Sequence, residues 1–567
     1  MRYLELAELY EEANSTTKRL EKTKILSNFL KKLTEKDSYI LYLISGEIYP
    51  EYDERKIGIS NQLTIKAISK ATGADIKRVE KEWKKIGDIG QVAQLLTSSK
   101  KQVTLHTETL TTLKVIENLR KLTTLIGTGT VSKKISLITE LLTSAKPLEA
   151  LYISRTLIGD LRIGIQESTI REALAQAFFP KEERAPEIIQ RSIDKTNDLA
   201  KVFEIAKRRN LQELEKMKLE VGKPIKAMLA QKANTIESGF KELGTPCAVE
   251  YKYDGFRLLI HKQGEKITLF TRSLENVTKQ FPEVAEYILK YIDGKSFILD
   301  SEAVGYNKKT KEYTDFQEIS QRIRRKHNIE KLQKELPVEV NIFDILYYNG
   351  KSQLDNPFKK RSELIRKIIT KKPYKIIPSK QIITSSVKEA EAFYKKALKD
   401  NQEGVMLKNL DAEYKPGRRV GHMLKIKPDT RDLDLVITGA EYGTGKRSGW
   451  LSSFILSCRD KGKYLEIGKV GTGIKEKAGE ELSFEELTKI LKPLIIKEKG
   501  KTVEIKPKII VAIHYQDIQK SPNYKSGFAL RFPRFTALRK DKPLSEINTL
   551  EEITNDFANQ KRSYMYG

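Results

Sequence analysis

Over roughly the first 215 residues the apolar positions recur at helical spacing. Leu26, Phe29, Leu30 and Leu33 fall at i, i+3, i+4 and i+7, and Leu137, Ile138, Leu141 and Leu142 cluster on one later face. The pattern changes near Gly222-Lys223-Pro224. From about residue 245 short alternating runs predict strands at Cys247 to Tyr253, Ile267 to Thr271, Phe297 to Val304, Val338 to Tyr348 and Met423 to Lys427. Helices are predicted between them, at Pro282 to Tyr291 and Ser386 to Leu398. After Pro428 the chain reads as mostly strand, at Leu433 to Ala440, Phe454 to Cys458, Tyr464 to Val470 and Lys508 to Tyr515. Short strands with Gly-rich turns suit a small barrel. The expectation is three parts: an all-α domain, an α+β domain and a β-barrel.

Length agrees, since 567 residues exceed one hydrophobic core. Charge adds a partner. A formal net charge of +28 is usually offset by a polyanion, most often nucleic acid; lysine enrichment of the hot-environment kind is the plainer reading. Two cysteines, Cys247 and Cys458, exclude a disulfide framework and any all-cysteine zinc site. The five histidines (His106, His261, His327, His422, His514) lack metal-ligand spacing. No run of about 18 apolar residues exists to span a bilayer, and Met-Arg-Tyr-Leu-Glu is no signal-peptide start. A cytoplasmic protein is expected.

The densest chemistry is Glu250-Tyr251-Lys252-Tyr253-Asp254-Gly255-Phe256-Arg257. On an extended strand Cys247, Val249 and Tyr251 would face a core, with Glu250 and Lys252 on the other side. A lysine amine becomes a nucleophile once it has lost its proton, which neighbouring cations or burial promote. Alone, a Lys-x-Asp-Gly run is as readily an ordinary strand-to-turn junction.

The run resembles the nucleotidyl-lysine motif of the covalent nucleotidyltransferases, the superfamily of ATP-dependent DNA ligases, RNA ligases and mRNA capping enzymes. Further segments resemble that family's motifs in the same order. They are Thr271-Arg272-Ser273, Ile298-Leu299-Asp300-Ser301-Glu302, Asn341-Ile342-Phe343-Asp344, Glu403-Gly404-Val405-Met406-Leu407-Lys408 and Met423-Leu424-Lys425-Ile426-Lys427. Each has a plain reading as core or solvated strand face; their joint order outweighs it. The resemblance implies that Lys252 is the nucleophile and that Glu302 and Glu403 are the metal ligands. Glu250, Arg257, Arg272, Glu302, Phe343, Lys425 and Lys427 would contact the nucleotide, with Phe343 packing on the purine.

Other stretches are similar to DNA ligases with an N-terminal helical DNA-binding domain, of the archaeal and eukaryotic kind. These are Gly159 to Gly164 with Thr169 to Ala177, Gly222 to Ala230, Tyr414-Lys415-Pro416-Gly417-Arg418-Arg419 and Gly527 to Phe535. They add Arg419 and Arg531 to the implied nucleotide contacts. The resemblance then implies a helical DNA-binding domain over 1–220, an adenylation domain over 221–428, and an OB-fold domain with a C-terminal helix over 429–567. It implies ATP as nucleotide, with ADP or another nucleotide open, and Mg²⁺, for which Mn²⁺ can substitute. The partner would be nicked duplex DNA and the protein a monomer serving replication, repair and recombination; the archaeal, thermophilic enzymes are closest in layout.

Two departures stand out. Met423 sits where the family commonly has tryptophan. Gln102-Val103-Thr104-Leu105-His106 lacks both aromatics of the related sliding-clamp motif, so 98–106 is equally well a polar loop. An RNA ligase or capping enzyme would leave the helical domain unexplained, and an NAD-dependent ligase would need four zinc-binding cysteines. A silent DNA-binding scaffold would be expected to have lost some reactive positions, and none is lost.

Overall fold

The computed structural model describes residues 1–99, 109–127, 129–314, 319, 322–323, 328–417, 420–428, 432–444, 447–476 and 482–559. By compactness the chain parts into Met1–Gly73 with Ala93–Lys427, and Ala74–Val92 with Pro428–Gly567. Among the described residues no helix is long and apolar enough to cross a membrane.

In the first unit helices run from Tyr3–Asn14 to Leu211–Glu215, and among the described residues no strand precedes Gln231. The helix Arg19–Lys32 buries Leu26, Phe29 and Leu30, one stripe of a 3.6-residue repeat, and Leu33 follows as its extended C-cap. The helix Thr130–Ser144 buries Ile138, Leu141 and Leu142; Leu137, expected with them, is half-buried, and Ile135 is buried in its stead. Lys226, on the stretch leading out of the helices, reaches back to Glu51 and Glu167, each at 2.6 Å.

The strands, numbered along the chain, form two sheets in the same unit. One runs β1 (Gln231–Lys232), β11 (Met423–Ile426), β10 (Gly404–Asn409), β2 (Cys247–Lys252), β9 (Gln381–Thr384). The other runs β4 (Lys266–Phe270), β3 (Phe256–Gln263), β5 (Ser296–Gly305), β6 (Val338–Tyr348), β7 (Lys351–Ser352), with β8 (Ile376–Pro378) on β6. Helices Ile236–Leu243 and Val387–Lys399 contact the first sheet; Pro282–Tyr291 and Phe358–Ile368 contact the second. Leu259, Phe270, Ile298, Leu346, Tyr414 and Met423 share one core cluster drawn from both sheets. Met423 is thus a core residue, 7% exposed.

His261 on β3 is 1% exposed and its Nδ1 accepts the Gly222 N–H at 2.9 Å. Its Nε2 has no hydrogen-bond partner, and burial pushes its pKa down to about 3. The unfolded value is about 6.5, so protons favour the unfolded chain between the two values. Its contribution is therefore complete above pH ~6.5 and is lost as pH falls toward ~3, reaching about 2 kcal/mol at pH ~5. Thermal melts at neutral and mildly acidic pH should show the wild type losing stability faster than His261→Gln.

In the second unit a sheet runs β14 (Lys463–Val470), β13 (Leu451–Asp460), β12 (Leu433–Tyr442), β16 (Thr502–Ile505), β15 (Ile495–Lys499). β17 (Ile510–His514) also joins β12, and β20 (Arg534–Leu538) joins β17. β12 serves two partners in turn, pairing β17 over Leu433–Val436 and β16 over Gly439–Glu441. β18 (Asp517–Lys520) and β19 (Phe528–Arg531) form a separate ladder. The domain is strand-rich as expected, but among the described residues its ladders do not close into a barrel. The helix Phe484–Leu491, begun by a Ser483–Glu486 capping box, buries Phe484, Leu487 and Leu491 in this domain's core. Within the same unit the Lys501 ammonium lies 4.2 Å from the Trp83 ring centre.

Candidate active site

The strand β2 alternates as its sequence predicts on one side: Cys247, Val249 and Tyr251 enter the core shared with Val405, Leu407, Leu424 and Ile426. The other side is not open to solvent. Register places Gly404 opposite Lys252, Met406 opposite Glu250, and Lys425 opposite Met406. Glu250, Lys252, Met406, Lys408 and Lys425 thereby share one sheet face, the one that carries Met423 into the core between the sheets.

Lys252 ends β2. Its Nζ lies 2.8 Å from Glu403 Oε2, and the Lys427 ammonium contacts the same oxygen. The backbone reinforces this, since the Glu403 N–H donates to the Lys252 carbonyl at 2.9 Å. The turn beyond Lys252 is held by the Asp254 N–H donating to Gln402 Oε1 at 3.0 Å. A Cβ on Gly255 would lie 2.4 Å from the Ala303 carbonyl oxygen, so the chain passes β5 only without a side chain.

Glu302 on β5 faces Arg257 across the ladder. Burial, partly offset by Lys252 and Arg257, pushes its carboxyl up to about 8. Burial acts upward on Glu403 too, but the Lys252 and Lys427 charges outweigh it and hold that carboxyl below the ordinary range. Two acids in one cleft are thus driven apart, a pattern that marks working sites.

Arg257 is engaged by protein on nearly every side. Its Nε donates to Asp300 Oδ1 at 2.7 Å, its Nη2 contacts Oδ2, and its Nη1 reaches the Met228 carbonyl at 3.3 Å. Tyr414 donates to the same carboxylate at 2.8 Å. The Phe343 ring, half-buried, lies 5.3 Å from this guanidinium and 5.0 Å from the Lys408 ammonium. Asp300 is fully buried, so Asp300→Ala strands an inward-facing cation. A loss of about 3–5 kcal/mol is expected, read as a lowered thermal midpoint of the first unit.

Other predicted residues lie apart or outside. Arg272 stands exposed on the turn after β4, closed by the Thr271 N–H donating to the Glu275 carbonyl at 2.9 Å. Arg531, in the second unit, lies 3.3 Å from Asp517. Arg419 and Gln102 to His106 lie outside the described residues. No sequence pattern gives Asp300, Lys408, Tyr414 or Gln381 a role: the first three lie inside the motif stretches, and Gln381 has no sequence signal.

The donor set suits a hard divalent cation. Glu302 and Glu403 offer carboxylate oxygens, and Glu403 Oε2 already gathers the Lys252 and Lys427 ammonium groups. Among the described residues no three His, Cys, Asp or Glu side chains gather. An ion held by these two carboxylates would complete its shell with water and substrate phosphates.

Family models match three consecutive stretches: "DNA ligase N terminus" over 2–175, "ATP dependent DNA ligase domain" over 227–427, and "ATP dependent DNA ligase C terminal region" over 447–542. A protein named DNA ligase from Nanoarchaeum equitans is 44% identical over 565 residues, covering 99% of each chain. Another from Thermococcus onnurineus is 40% identical over 567 residues, again covering 99% of each. A solved structure named "Pmar-Lig_PreS3" shares the fold at a TM-score of 0.58 and 18% identity, over 94% of this chain and 99% of that one.

Proposed function

This chain belongs to the ATP-dependent DNA ligase family and seals nicks in duplex DNA with ATP, and from that premise we propose how its residues divide the work. The observation that carries the reading is Lys252 Nζ, 2.8 Å from Glu403 in a cleft that also holds Glu302, Lys427 and Phe343. Lys252, once deprotonated, attacks the α-phosphorus of ATP; an N–P bond forms and the bond to pyrophosphate breaks. A 5′-phosphate oxygen at the nick then attacks that phosphorus, the N–P bond breaks, and Lys252 is regenerated. Finally the 3′-hydroxyl attacks the adenylated 5′-phosphate, closing the phosphodiester and expelling AMP.

Glu250, Arg257, Phe343, Lys425 and Lys427 hold the nucleotide, and Arg272 and Arg419 complete its surroundings. Phe343 supplies the face for the purine, and the two lysines supply fixed positive charge for phosphates. Glu302 and Glu403 would hold Mg²⁺, or Mn²⁺ in its place, which when bound neutralises phosphate charge and orients the leaving pyrophosphate. ADP, with the same base and α-phosphate, is an alternative donor.

The work is divided among a helical DNA-binding domain at 1–220, the adenylation domain at 221–428 and an OB-fold domain at 429–567. With a net charge of +28, a monomer would grip DNA mainly through phosphates, without sequence preference. Replication, repair and recombination in the cytoplasm are its setting. A sliding clamp is a second partner through 98–106, with a polar loop as the equal reading of that stretch.

The test is joining of a nicked duplex with purified protein, ATP and Mg²⁺. Sealing that requires both supports the reading; joining driven by GTP alone, or only of RNA ends, overturns it.

A further inference from the structure

Gln402 stands one residue ahead of the Glu403–Lys408 run, and only 5% of it is exposed. Its side chain reaches the turn behind Lys252. Oε1 accepts the Asp254 N–H at 3.0 Å, while Nε2 donates to the Asp400 carbonyl at 2.9 Å. These two bonds fix which way the amide faces, since turning it over would set donor against donor and acceptor against acceptor. Ending the helix Val387–Lys399 does not require this side chain, because the Gln402 backbone N–H bonds the Ala397 carbonyl at 3.0 Å. The neighbours of Gln402 grip the same strand end. The Glu403 N–H donates to the Lys252 carbonyl at 2.9 Å, and the Tyr251 hydroxyl donates to Asp400 Oδ2 at 2.9 Å. Lys380 Nζ, 3.0 Å from that oxygen, holds Asp400 in turn. Asp400, Gln402 and Glu403 thereby clasp Tyr251, Asp254 and Lys252 respectively.

Lys252 is the last residue of β2, so the aim of its side chain depends on the turn that follows as well as on the strand. On the strand side the β10 ladder holds it. On the turn side the hold on the Asp254 N–H is supplied by a side chain, which a substitution removes while the backbone stays as it is. Resting on the reading of Lys252 as the nucleophile, we propose that Gln402 is a positioning residue for it. Gln402 fixes the turn from which the amine is aimed, and so serves the two steps in which the N–P bond forms and breaks. The last step, in which the 3′-hydroxyl attacks, does not call on it. Attack on phosphorus needs the reacting atoms aligned at about 3–3.5 Å, and misplacement of about 1 Å can cost about 10²-fold.

The test follows single-turnover formation of the protein–AMP adduct from α-labelled ATP and Mg²⁺, together with thermal midpoints and sealing of a nick that already carries AMP. Two variants are compared with wild type. Gln402→Leu keeps most of the bulk and removes the amide; Gln402→His brings a neutral imidazole, which again offers one acceptor and one donor. In Gln402→Leu the maximal rate of adduct formation should fall about 10–100-fold, with the half-saturating ATP concentration changed less than about threefold. Sealing of the pre-adenylated nick should stay within about threefold of wild type. Gln402→His should recover most of the lost rate. A loss spread equally over adduct formation and sealing of the pre-adenylated nick, in step with a lowered midpoint, marks a merely structural role and overturns the proposal. Adduct formation at wild-type rate in Gln402→Leu overturns it too, as does a Gln402→His no faster than Gln402→Leu. In all of these outcomes the reading of Lys252 stands. A wild type that forms no adduct with ATP removes that reading and this proposal with it.

Discussion

Lys252→Ala is expected to bring the protein–AMP adduct to background and to lower ATP-dependent sealing by at least about 10⁴-fold, the scale seen when a covalent nucleophile is removed. No neighbour can replace it. Lys427, on the same Glu403 oxygen, follows β11 rather than the β2 turn, so its amine comes from another strand, and attack needs the reacting atoms aligned at about 3–3.5 Å. The same variant should seal a nick that already bears AMP within about tenfold of wild type, because in that step the 3′-hydroxyl attacks and the lysine forms no bond. Gel assays on the two substrates separate these outcomes. Equal loss on both would mean that Lys252 holds the site together rather than reacting in it.

The second large effect is expected at Gly404, between Glu403 and the β10 ladder. Its φ is +146°, and a Cβ there would lie 2.1 Å from the Ile426 carbonyl oxygen and 3.3 Å from Lys427 Cα. Both neighbours are backbone, so the contact is relieved only by parting β10 from β11. Gly404→Ala adds backbone strain of about 1–3 kcal/mol and overpacking of about 1–3 kcal/mol. The parting moves Glu403 and Lys427 together, the two groups that meet Lys252. Misplacement of about 1 Å at a reacting centre can cost about 10²-fold. Adduct formation should therefore fall by about that factor or more even at temperatures where circular dichroism reports a folded chain. Adduct formation at wild-type rate would show that the β10–β11 spacing does not position the nucleophile.

What was legible in the sequence follows from how local each signal is. β6 begins and ends at Val338 and Tyr348, and the helix at Pro282 and Tyr291, as their runs predict, because alternation and a Pro start are written in adjacent residues. The inward set on β2 was legible for the same reason. The burial of its opposite face was not, since it comes from a second sheet packed over it, which no pattern within β2 states. Arg257 reads as a cation near the lysine and an implied nucleotide contact; its bond to Asp300 depends on a β3–β5 register that no local pattern states. Gln381 had no signal, because an amide on a short strand gains meaning only from the Glu250 carboxylate placed opposite it. The barrel expected after Pro428 rested on strand spacing, which reports strands but not whether their ends meet.

The account stands most directly on where the nucleotide becomes attached. Protein incubated with α-labelled ATP and Mg²⁺, then digested and mass-mapped, should carry AMP on Lys252 alone, and added nicked DNA should discharge that label as the strand is sealed. Label on another residue, or sealing with no adduct at any time, would contradict it.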